Sequence, residues 1–191
     1  QEVEKAHEAV SKAVADRALE RAAAADPWWA DPWEMRAELE SQQWVANASE
    51  RQLASFLAAR DGLLARNPIS SQVYRRCGNW LLEMFAASGR ADLGQQAVAA
   101  YAQAVELYPC SGILHAQLAW AYHVTGADQL ARQHAEEALR LDALNPHLEL
   151  KLAKQRVVGD YLAPPGPSDG AERPTETAEQ LMWRVRNVKN R

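Results

Sequence analysis

The segment SGILHAQLAWAYHVTGADQLARQHAEEALRLDALN, Ser111 to Asn145, decides the fold. His115, Leu118, Ala119 and Tyr122 stand at i, i+3, i+4 and i+7, one face of a helix. Ser111 is a capping residue ahead of that helix. Gly126 ends it, because glycine readily takes the left-handed conformation that closes a helix. Asp128 is expected to cap a second helix, in which Ala131, Ala135 and Ala138 line one side. Small side chains there let two helices approach closely. The unit reads as a helical hairpin of about 34 residues.

Upstream the same unit recurs. Pro27, Pro68 and Pro109 stand 41 residues apart, each closing an alanine- or leucine-rich run: ALERAAAADP, RDGLLARNP and YAQAVELYP. A fourth joint, EEALRLDAL, comes 34 residues after Pro109, with Ala143 in the proline's place. Six residues past the joints stand Trp33, Tyr74, His115 and Glu149.

This pattern resembles the tetratricopeptide repeat, whose signature is W-x2-L-G-x2-Y, then A-x3-F and a closing P, with a period of 34. Here the first-helix positions read His115, Leu118, Ala119 and Tyr122, and the second-helix positions Ala131, Ala135 and Ala138. The preceding unit carries Tyr74, Cys77, Gly78 and Leu81, then Ala97, Tyr101, Ala104 and Pro109. The unit before it opens with Trp33, Arg36 and Ala37 and closes with Leu63 and Pro68. It departs from the pattern at Phe56 and Arg60. The resemblance spans residues 13–153. It implies an all-α fold, a right-handed superhelical array of helical hairpins.

The 41-residue spacing adds seven residues, about two helical turns, which preserves the facing of the apolar stripe. GNWLLEMFAAS is expected to carry one first helix to Gly89, with Asp92 capping the next and Gln95 three residues on. ESQQWVAN lengthens the earlier unit, with Ser49 and Gln52 as a capping box. Trp44 and Trp80 are expected to pack within these extensions. The division expected is an N-terminal partial-repeat helix at 1–26, lengthened repeats at 27–68 and 69–109, and a repeat at 110–145. A solvent-facing capping helix at 146–162, a Pro/Gly linker at 163–174 and a basic helix at 175–191 follow. Leu181, Trp183, Val185 and Val188 of that last helix need cover, so docking on the array is expected.

Composition narrows the function. With 21 basic and 25 acidic residues among 191, the net charge of −4 argues against a nucleic-acid footprint. No stretch reaches the 18 apolar residues of a membrane span. Cys77 and Cys110 have neither metal spacing nor a disulfide framework, which leaves the compartment open. The chain begins at Gln1 already inside a helical pattern, so we read it as a piece of a longer protein. Nucleophile elbows, H-E-x-x-H pairs, phosphate loops and paired CxxC motifs are missing. Cys77 lies in an apolar run and is expected to be an inert buried thiol. His7, His115, His123, His134 and His147 lack ligand spacing beyond one accidental pair. No enzyme activity, metal or cofactor is expected.

The resemblance implies a concave surface lined by the first helices. Its exposed positions would be Asp31, Glu34, Met35 and Glu38, then Gln72, Arg75, Arg76, Asn79 and Leu82, then Ile113, Ala116, Gln117, Trp120 and His123. Arg75, Arg76, Asn79, Gln117, Trp120 and His123 are its expected contact residues. Arg75 and Asn79, one turn apart, make half of the carboxylate clamp found in some members of the family. Trp120 is either a contact residue or covered by packing. The function expected is a non-catalytic interaction or scaffold module that binds a protein or peptide. One alternative rests on a weak similarity of the AADPW..DPW joint and alanine-rich helices to soluble tails of bacterial membrane proteins of the O-antigen ligase or polymerase type. That would make this piece a regulatory or assembly tail of a membrane-anchored parent. The other alternative is self-association through the ends of the array.

The first joint, ADPWWADPW from Ala25 to Trp33, then resolves into parts. Pro27 closes one helix, Pro32 opens the next, where a missing N–H does no harm, and Trp33 is the repeat's packing aromatic, expected in the core. Trp28 and Trp29 have no role in the pattern. They either plug the joint or form an exposed contact.

Overall fold

Every regular element among the described residues is α-helical. The structure, a computed structural model, describes residues 14, 15, 17–26, 28–145 and 152. Its helices are α1 (17–25), α2 (Asp31–Ala46), α3 (Glu50–Arg66), α4 (Ser71–Ser88), α5 (Ala91–Leu107), α6 (Gly112–Val124) and α7 (Asp128–Leu144). The chain divides into two compact units, Gln1–Ala97 and Val98–Arg191, with the boundary inside α5. The fold is all-α and built of helical hairpins in the repeat register. Pro27, His7, His147, Glu149, the linker and the basic C-terminal helix lie outside the described residues, as does the expected capping helix apart from Leu152.

Helix starts follow side-chain chemistry. Ser49, Ser70 and Ser111 are the residues before α3, α4 and α6. Their hydroxyls accept from the backbone N–H groups of Gln52 (3.3 Å), Val73 (3.4 Å) and Leu114 (3.4 Å). Each cap satisfies an orphan donor and is worth about 1 kcal/mol. The expected box at Ser49 closes differently, since the Ser49 hydroxyl donates to Gln52 Oε1 at 3.0 Å. Gly126 has a left-handed φ of 85° after α6, as glycine allows without cost. Gly89 ends α4 in the same conformation.

Two expected caps are corrected. Asp92 lies inside the first turn of α5, and its carboxylate takes the Arg90 guanidinium at 2.9 and 3.1 Å. Asp128 is the first residue of α7, after Ala127, and its carboxylate holds the His123 ring at 2.8 Å. Both carboxylates still favour the positive end of the helix dipole, but side chains nearby take the hydrogen bonds.

In the first unit α2 and α3 pack along each other and α4 lies against both. Trp44 and Trp80, the two residues of the extensions, are buried. The departure at Phe56 is a packing choice. Phe56 is fully buried where Ala97 and Ala131 stand in register, and it meets Trp80 edge-on at 6.4 Å and 89°. Edge contacts suit the ring quadrupoles. Arg60, at the register position of Tyr101, is half-buried and satisfied. Its Nη1 donates to Gln96 Oε1 at 2.7 Å and its Nε to Asp61 Oδ1 at 2.9 Å. Trp33 is half-buried and not a core residue. Its ring lies against Gly62, where any Cβ would overlap it, and under the Arg66 guanidinium at 4.5 Å.

In the second unit α6 and α7 form the expected hairpin, closed by Ala116, Ala119, Ala135 and Ala138. Leu152 completes this cluster and is buried. It stands 34 residues after Leu118 and so continues the repeat register. Its backbone N–H donates to Asp142 Oδ1 at 2.6 Å.

Candidate functional site

The first-helix positions of the first unit come together where α2 meets α4. Arg76 forms an ion pair with Glu34. Both are partly exposed, so this pair contributes little to stability. It does show that the acidic stretch on α2 and the basic stretch on α4 share one surface. Arg75 is half-buried, and its Nε has no hydrogen-bond partner among the described residues. Asn79 is half-buried and engaged in an interaction of its own.

In the second unit Trp120 is 9% exposed and its ring lies 5.5 Å from that of His123. Its Nε1 and the Oε1 of half-buried Gln117 have no partner among the described residues. His123 is exposed but tied to Asp128.

The first joint differs from these. Trp28 is 88% exposed and Trp29 47%. Two hydrogen bonds run from their backbones to Asp26: the Trp28 N–H donates to Asp26 Oδ1 at 3.0 Å and the Trp29 N–H to the Asp26 carbonyl at 3.2 Å. The other joints show what the fold asks of these positions. Their counterparts are Ile69-Ser70 and Cys110-Ser111. Ile69 is 83% exposed and Cys110 is exposed, so the residue after the proline faces solvent at each joint. Ser70 and Ser111 cap the next helix through the N–H of Val73 and Leu114. The residue in register with Val73 and Leu114 is Pro32, which has no N–H to cap. The proline therefore releases position 29 from capping, and α2 starts after Ala30 without a side-chain cap.

The thiols differ as well. Burial raises the Cys77 pKa to about 12, an effect only partly offset by the Arg60 charge. It is an inert group at neutral pH. One constellation escaped the spacing argument. His115 and His134, on α6 and α7, approach to 3.0 Å between their Nδ1 atoms. Among the described residues, no group of three His, Cys, Asp or Glu is placed to hold a metal. No helix among them is long and apolar enough to cross a membrane.

No family model and no curated protein matches the chain, so the similarity to O-antigen ligase tails gains no support from them. Four solved chains match. One of them, described as MamA MSR-1 C2, is 20% identical with a TM-score of 0.42, and the match covers 71% of this chain and 71% of that one. At that similarity nothing about function follows, and the helical hairpins themselves carry the fold.

Proposed function

We propose that this chain is a non-catalytic protein-interaction module whose principal contact residues are Trp28 and Trp29. The observation that carries this reading is their exposure, at positions where the equivalent joints carry other residues and other duties. An exposed tryptophan has a large apolar surface left in water, worth about 2 kcal/mol or more if buried. Tryptophans are also enriched among residues that dominate protein interfaces.

A photo-crosslinking side chain placed at position 28, and separately at 29, tests the reading in the cell that makes the protein. A single discrete protein adduct from both positions is expected, with none from position 120. The same adducts from all three positions, or none from 28 and 29, would remove the support. An adduct with a second copy would favour self-association. A secondary surface at half-buried Arg75 is proposed for a carboxylate-bearing segment of the same partner. There, Arg75→Ala should weaken capture without unfolding the protein.

A further inference from the structure

The first joint carries charge as well as rings. From Ala22 to Met35 the chain has three carboxylates, Asp26, Asp31 and Glu34, and no cation. Glu34 is taken by Arg76, and Glu20 of α1 by Arg36. Asp26 and Asp31 are exposed and have no ion pair among the described residues. Asp26 Oδ1 accepts the Trp28 N–H at 3.0 Å, which holds this carboxylate beside the tryptophan backbone. Asp31 stands two residues after Trp29, in the first turn of α2.

The register isolates these acids. In line with Asp26 stand Asn67 and Tyr108, and in line with Asp31 stand Gln72 and Ile113. The next two joints therefore have neither acid nor tryptophan at these positions. An apolar partner seated on Trp28 and Trp29 would take Asp26 and Asp31 out of water with nothing in its place, a heavy cost for charged groups. A cation serves rings and acids together. Tryptophan offers the best aromatic face to a cation, and a guanidinium lying on an indole keeps its N–H edge for a carboxylate. The chain itself contains one such contact, since the Arg66 guanidinium lies 4.5 Å above the Trp33 ring. Trp28, 88% exposed, has no cation over it among the described residues.

On the reading that Trp28 and Trp29 meet a partner, we propose that this partner presents arginine. Its guanidinium groups stack on the two indoles and pair with Asp26 and Asp31. Arginine suits the surface better than lysine, because its planar group is weakly hydrated and bonds a carboxylate with two prongs. The occupant is thus a basic segment of a protein.

The test uses the full chain labelled with 5-fluorotryptophan, whose seven tryptophans give signals assigned through Trp28→Ser and Trp29→Ser. The probes are two synthetic glycine-serine peptides, one with a pair of arginines and one with norleucine in their place. The arginine peptide should shift the Trp28 and Trp29 signals and bind about tenfold more tightly than the norleucine peptide. Raising the salt from about 50 to about 500 mM should remove most of that preference. Asp26→Asn/Asp31→Asn keeps both side-chain sizes and an acceptor for the Trp28 N–H. It should weaken the arginine peptide about five- to tenfold, whereas Glu106→Gln, a charge removed elsewhere, should not. Equal binding of the two peptides, or no shift of either signal at millimolar arginine peptide, would overturn the proposal. In the cell, the photo-crosslinked adduct from position 28 or 29 should fall in the double variant. An undiminished adduct would overturn the cation and leave the tryptophans as contacts. No adduct from the native chain would count against the contacts themselves. The two peptides on the native chain decide the cation in that case, and also if the variant fails to fold.

Discussion

At the repeat's aromatic position the α2–α3 hairpin carries Trp33, and the α6–α7 hairpin carries His115. Each second helix answers with the opposite volume. Gly62 of α3 leaves room for the Trp33 ring, with Arg66 laid over it. In register with Gly62 on α7 stands Glu137, and in register with Ala59 stands His134. Bulk has moved from the first helix to the second between hairpins that share one register. Cores accept such exchanges when the total volume across an interface is kept. The fold thus depends on facing and spacing more than on which helix supplies the ring. The exchange does change the chemistry: one interface is a ring under a cation, the other a titratable pair.

The comparison can be broken from either side. The largest effect is expected at Phe56, the aromatic that replaces a small residue in the first unit. Phe56→Ala should cost about 3–5 kcal/mol in denaturant unfolding by leaving a cavity beside Trp80. A cost below about 1 kcal/mol would mean that the departure from the repeat pattern carries no packing. Gly62→Val should cost about 1–3 kcal/mol by overpacking Trp33. Trp33→Ala in the same chain should recover part of that cost, a coupling measurable by a double-mutant cycle. His115→Trp should fail in the mirrored way, because α7 offers no glycine. Cap removal comes next: Ser111→Ala should cost about 1 kcal/mol. The cysteines sharpen the contrast between the units without mutation. Ellman's reagent at about pH 8 should titrate Cys110 and leave Cys77 unreacted until the chain is unfolded.

Much of the fold was legible because its signals are local. The serine at the start of α6, Gly89 and Gly126 each act within one turn, and all appear where the sequence puts them. Asp92 and Asp128 misled because a carboxylate near a helix start serves either the backbone or a neighbouring side chain. Arg90 and His123 decide which, and only geometry brings His123 to Asp128. The His115–His134 contact depends on the rotation of α7 against α6, which neither helix's own periodicity fixes. Trp120 was open for the same reason. At the first joint the sequence isolated Trp28 and Trp29 but left plug and contact both open. Their exposure, and Pro32 standing where the other joints present an N–H to a capping serine, favour the contact.

That choice has a direct test in the equilibrium unfolding of the Trp28→Ser/Trp29→Ser variant. If the rings serve a partner and not the joint, the unfolding free energy stays within about 0.5 kcal/mol per site of the native value, as for ordinary surface changes. A loss above about 2 kcal/mol would show that the rings plug the joint, and the central claim would fail.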